Sequence, residues 1–103
     1  MFADKIYGLE MKNFKYSTQG VCSTNISFDI ENGKIYNVKF EGGCMGNLQA
    51  VSKLAEGKNA KEIADILRGN DCRGKGTSCA DQLAKAIDKA LSELEKQRNI
   101  LQL

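Results

Sequence analysis

Asn25-Ile26-Ser27-Phe28-Asp29-Ile30-Glu31-Asn32-Gly33-Lys34-Ile35-Tyr36-Asn37-Val38-Lys39-Phe40 decides the fold class of this chain. Ile26, Phe28 and Ile30 alternate with polar residues, and Tyr36, Val38 and Phe40 alternate again after Asn32-Gly33. Two period-2 runs joined through Asn-Gly are the strongest short-range hairpin signal, because a type I′ turn needs positive φ at both central residues. The alternation predicts a sheet with one buried face and one solvated face.

Upstream, Phe14 and Tyr16 predict a first strand running up to Gly20, while residues 1–13 read as a weakly patterned lead-in. Downstream of Gly42-Gly43 the period changes to that of a helix. Leu48, Val51, Leu54 and Ala55 mark the first helical stripe, and Gly57 offers its C-cap. Asn59 with Glu62 three residues on is a capping-box start for a second helix, whose stripe is Ile63, Ile66 and Leu67 and whose end is Gly69. After a polar, glycine-rich loop over residues 70–77, Ser78 with Asp81 opens the last helix. Leu83, Ile87, Ala90, Leu91 and Leu94 form its apolar face. Strands first and helices second predict an α+β fold: a small antiparallel sheet of about three strands followed by three helices packed on one face.

The chain of 103 residues is read as one domain over 1–103, with its core over about 14–98. An apolar fraction of 42% and a charged fraction of 27% are those of an ordinary globular protein. The net charge of +2 is scattered, so no basic stripe suited to nucleic acid emerges. No apolar run reaches the length needed to cross a bilayer. The N-terminus lacks the basic flank and apolar run of a secretory signal. The expected location is the cytoplasm, where thiols stay reduced. Ile100, Leu101 and Leu103 make an apolar tail, read as a weak homodimer contact.

Chemistry rests with four cysteines, because the chain has no histidine and no paired carboxylates or nucleophile–base set. Cys22 precedes the hairpin, Cys44 stands where strand gives way to helix, Cys72 lies in the glycine-rich loop, and Cys79 falls in the first turn of the last helix. All four stand at element ends and off the apolar stripes, unlike cysteines used as core hydrophobes. Cys44 and Cys79 open helices, where unpaired N–H groups favour an anionic sulfur. The spacing is not that of a zinc knuckle. An all-sulfur donor set nonetheless suits zinc or an iron–sulfur cluster better than copper(II) or nickel. The other readings are four unrelated thiols, a disulfide-exchanging pair at Cys72 and Cys79, and a cofactor-free interaction module. Residues 69–76 imitate a P-loop, but Gly76 stands where a Ser or Thr must hold magnesium, and the stretch follows a helix instead of a strand.

Gly74-Lys75-Gly76-Thr77-Ser78-Cys79-Ala80-Asp81-Gln82-Leu83 resembles the motif that names the TSCPD domain, with Ala80 in place of its proline. Gly20-Val21-Cys22-Ser23, Asn37-Val38-Lys39-Phe40 and Gly42-Gly43-Cys44-Met45-Gly46-Asn47-Leu48-Gln49 resemble its small stand-alone four-cysteine branch. That branch is similar to a C-terminal domain of adenosylcobalamin-dependent ribonucleotide reductases. The resemblance implies an accessory link to a ribonucleotide reductase and no reductase activity, since the catalytic barrel and cobalamin site have no room here. A more distant likeness is to iron–sulfur scaffolds of the SufU and IscU type, with Cys22, Cys44 and Cys79 at the three scaffold cysteines. Those scaffolds place Gly-Asp after the first cysteine, where this chain has Ser23-Thr24. The likeness therefore implies a closed site with Cys72 as fourth ligand, and an iron–sulfur protein as another partner. Cys22, Cys44, Cys72 and Cys79 are the expected ligands of a non-catalytic zinc or iron–sulfur protein.

Overall fold

The computed structural model describes residues 10–18, 23–42, 45–69 and 78–101. Their order is β1 (Glu10–Ser17), β2 (Ser23–Glu31), β3 (Lys34–Gly42), α1 (Met45–Ala55), α2 (Ala60–Leu67) and α3 (Cys79–Leu101). The strands form one antiparallel sheet in the order β1-β2-β3. Three helices follow a three-stranded sheet, so the α+β architecture read from the sequence is the architecture of the protein. The rest of the expected lead-in (residues 1–9), the end of the first strand at Gly20, the loop 70–77 and the tail side chains of Ile100, Leu101 and Leu103 lie outside the described residues.

Asn32 and Gly33 turn β2 into β3 with φ of 52° and 80°. Both values are positive, as the type I′ turn demands. Ile26, Phe28 and Ile30 of β2 are buried side by side on one face, while Asn25, Ser27 and Asp29 alternate on the other. Phe14 stands opposite Phe28 in the β1–β2 register, their rings 5.4 Å apart. Over this face α3 packs against β1 and β2, and α1 packs against β3. From α3, Leu83, Ile87, Leu91 and Leu94 enter the same core. α2 lies mainly against α3, and its Ala60 and Ala64 are fully buried.

Of the sheet's three register shifts, two change the strand phases expected from simple alternation, the third lying between Ser23 and Asn25. β1 begins at Glu10, four residues before the predicted start, and its register shifts between Met11 and Phe14. Asn13 takes φ 55° there, so Met11 and Phe14, three residues apart, both reach the core. In β3 the register shifts opposite Phe28, and Asn37 takes φ 56°. Ile35 is fully buried and Val38 nearly so, while Tyr36, expected inside, is only half-buried. The single strand of alternation through Tyr36, Val38 and Phe40 is therefore corrected to Ile35, Val38 and Phe40.

Two helical stripe positions are also corrected. Leu54 is 72% exposed and Ile66 is 75% exposed. Leu48, Val51 and Ala55 define the inward face of α1, and at about 100° per residue Leu54 points about 90° away from it. Ala60, Ile63, Ala64 and Leu67 define that of α2, which leaves Ile66 outside.

The predicted caps hold. The Asn59 side chain accepts from the Glu62 N–H at 3.0 Å, and Ser78 Oγ accepts from the Asp81 N–H at 3.0 Å. Gly57 and Gly69 take φ of 74° and 84° as the first two helices end.

Candidate functional site

Cys79 is the first residue of α3, and its thiol is half-buried and in no disulfide. Cys22, Cys44 and Cys72 lie outside the described residues. Among the described residues no group of three or more His, Cys, Asp or Glu side chains is gathered for a metal ion. Described positions one to three residues from each cysteine fall into two pairs.

The first pair belongs to the sheet. Ser23 is the register partner of Gly42 across the β2–β3 ladder. Cys22 is bonded to Ser23, and Cys44 stands two residues beyond Gly42. Cross-strand partners have Cα atoms about 5 Å apart, and two residues of chain reach at most about 7 Å. The hairpin register therefore brings the attachment points of Cys22 and Cys44 to one end of the sheet, opposite the Asn32-Gly33 turn. A groove of 630 Å³ opens there between β3 and α1, lined by Val38, Phe40, Gly42, Leu48, Ser52 and Lys53 among others.

The second pair belongs to the helices. Asp81 Oδ1 accepts from the Gly69 N–H at 2.7 Å, and Asp81 is only 3% exposed. Arg68 donates to both carboxylate oxygens of Asp88 at 2.7 and 2.8 Å. The end of α2 is thereby fastened to the first three turns of α3. Cys72 is three residues beyond Gly69, a reach of at most about 11 Å even when fully extended, and Cys79 is two residues before Asp81.

Electrostatics around these joints come from short-range pairs. Asp65 accepts from Arg68 and from Lys61, and these hydrogen bonds hold its carboxyl below the usual carboxylate value. The same Asp65 contact, followed by Asp88, raises Arg68 further above its ordinary value. Both residues are well exposed, so the pairs orient side chains more than they stabilise the fold.

Sequence reasoning placed Asp81 at a cap and did not anticipate its burial or its bond to Gly69. Its neighbours Ser78 and Gln82 are buried as well, so α3 begins in a polar cluster enclosed by protein. A hint was present in the chain: a helix start of Ser, Asp and Gln running directly into Leu83 leaves no solvated turn before the apolar face.

No helix among the described residues is long and apolar enough to cross a membrane. No curated protein and no solved structure matches the chain. The family model described as TSCPD domain matches residues 8–91, which include the sheet, all four cysteines and most of α3. With Ser78, Cys79 and Asp81 of the motif opening α3 and its apolar face closing the core, this chain belongs to the TSCPD domain family.

Proposed function

We propose that this chain is a non-catalytic cytoplasmic protein that binds zinc or an iron–sulfur cluster through Cys22, Cys44, Cys72 and Cys79. Its proposed role is that of an accessory factor to a ribonucleotide reductase or to an iron–sulfur protein. The observation that carries the site is the pairing of attachment points: Ser23 with Gly42, and Gly69 with Asp81. The donor set fits on chemical grounds, since four thiols without histidine match the ligands of zinc and of iron–sulfur clusters. When bound, zinc supplies a structural cross-link, and a cluster supplies an electron store or a cargo. The residues' own part is to hold four sulfurs on three element junctions that the sheet and helices position. The link to ribonucleotide reduction rests on the likeness of the four-cysteine branch to a reductase C-terminal domain.

The test is metal and acid-labile sulfide analysis, with an absorption spectrum, on protein purified without oxygen. Stoichiometric zinc, or iron with sulfide and a visible chromophore, is the expected result. Replacing any one of the four cysteines by serine lowers that stoichiometry. Unchanged metal in all four single variants, or no metal in the parent, overturns the proposal.

A second reading is favoured by the Gly69–Asp81 bond, which closes the connection carrying Cys72 onto the turn carrying Cys79. In it, the two thiols give up two electrons and two protons and become a disulfide, while a partner disulfide is reduced to two thiols. Four titratable thiols without metal, and a reversible Cys72–Cys79 bond under mild oxidation, support this reading over the first.

A further inference from the structure

We infer that this chain forms a homodimer by pairing the open half of its β3 edge with the same stretch of a second copy, antiparallel about Phe40. The inference uses no cysteine and stands apart from the proposed metal site. β3 is the last strand of the sheet, and its hairpin half is covered. Ile35 bonds Gly57 and Lys58 there, and the Asn37 N–H reaches Glu56 Oε1. From Val38 to Gly42 the strand instead borders the 630 Å³ groove that separates it from α1.

The ladder decides which backbone groups face that groove. Successive residues of a strand turn their N–H and C=O to opposite edges. Glu41 turns its carbonyl toward β2, where Thr24 Oγ1 donates to it at 3.3 Å. Phe40 therefore turns its N–H and C=O outward, and among the described residues no bond from outside the sheet reaches them. A strand edge in this state is a template for a further strand. The opposite edge is guarded, because the β1 bulge at Asn13 lies beside Lys12 and two residues from Lys15.

Self-complementarity names the occupant. The open stretch Val38-Lys39-Phe40-Glu41-Gly42 has Phe40 at its centre. An antiparallel copy that pairs all five residues sets Phe40 opposite Phe40, and the two exchange a pair of N–H···O bonds. The same register sets Lys39 opposite the second copy's Glu41, once on each side of the axis, and Val38 opposite Gly42. Lys39 and Glu41 are both exposed, and among the described residues neither is in an ion pair. Opposite charges directly across a ladder attract, so they favour this register over a slipped one. The contact is the same patch on both chains, so it closes at two and does not propagate.

The test is sedimentation equilibrium of the full chain, thiols kept reduced, from micromolar to millimolar concentration. The parent is expected to show a monomer–dimer equilibrium. Lys39→Glu and Glu41→Lys each set like charges opposite one another on both sides of the axis, and each is expected to weaken the dimer at least about tenfold. Both positions are exposed, so the variants keep the parent fold, which circular dichroism checks. The double variant Lys39→Glu, Glu41→Lys restores attraction and dimerises as the parent does. An equimolar mixture of the two single variants also dimerises, since acid then faces base across the ladder. A parent that stays monomeric throughout overturns the inference. So does a dimer that neither single variant weakens, or one whose loss neither the double variant nor the mixture repairs.

Discussion

Asp29 sits at the centre of β2, between the two bulges that set the strand phases. Its Oδ1 accepts from the Asn13 N–H at 2.7 Å, and its Oδ2 accepts from Asn37 Nδ2 at 2.9 Å. Asn37 also gives its N–H to Glu56 Oε1 at 2.8 Å, so the β3 bulge is tied on both sides. The Asn13 N–H, then the Asn37 amide, lowers the Asp29 carboxyl below its ordinary 3.8. A carboxylate lowered on folding stabilises the fold above its unfolded value, and that contribution is lost as pH falls through the folded value. Asp29→Asn is therefore expected to flatten the loss of stability with acid below about pH 4, measured by urea unfolding from pH 2 to 7. Asp29→Ala removes acceptors for both bulges. Because the site is solvent-exposed, the expected loss at neutral pH is about 1 kcal/mol. That corresponds to a Tm lower by about 4–8 °C in a scan of a domain near this size.

At the scale of elements, α2 and α3 start where their capping residues predict, and α1 and α2 bury a narrower face than their apolar residues suggest. Asn59→Ala removes the acceptor for the Glu62 N–H and is expected to cost about 1 kcal/mol in thermal or denaturant unfolding. Ile87 is fully buried on α3, and Ile87→Ala is expected to cost about 2–5 kcal/mol in the same measurement. Ile66→Lys, by contrast, changes an apolar residue that is 75% exposed and stays within about 0.5 kcal/mol of the parent. The α1–α2 connection adds a tie of its own. Ile35 gives its N–H to Lys58 O and accepts from the Gly57 N–H, while the Ala60 N–H reaches Gly33 O at 2.8 Å. Backbone groups of the connection thus pair with the open edge of β3 near the hairpin, protecting an edge strand from pairing with another chain.

Across the whole molecule, three of the connections between elements carry Cys22, Cys44 and Cys72, Cys79 opens α3, and the packing of the elements governs where those connections start and end. A metal that binds only the folded chain raises its stability by mass action. A rise of about 2.7 kcal/mol is expected at zinc one hundred times above Kd. Unfolding curves with zinc and with a chelator measure it, and the Cys79→Ser chain is expected to lose the difference. The fold class, the Asn32-Gly33 turn, the three helices with their caps, and the TSCPD motif were all legible in the residues. Three features were not legible: Ile35 inside in place of Tyr36, the exposure of Leu54 and Ile66, and the burial of Asp81.

The division has a physical basis. Turn chemistry, capping and periodicity act over a few neighbouring residues, so Asn32-Gly33, Asn59 with Glu62, and Ser78 with Asp81 declare themselves in the sequence alone. A bulge is different. Nothing near Asn37 distinguishes it from an ordinary strand residue until Asp29 and Glu56, 8 and 19 residues away, supply the partners for its bulged conformation. Which side of a short helix is covered likewise depends on the surfaces it meets, and α2 buries Ala60 and Ala64 while leaving Ile66 to solvent. Asp81 is an unremarkable helix-start residue until α2 ends against it and Gly69 offers its N–H. Local chemistry thus determined the elements, while contacts between distant residues decided the strand phases, the buried faces and the buried carboxylate two residues beyond Cys79.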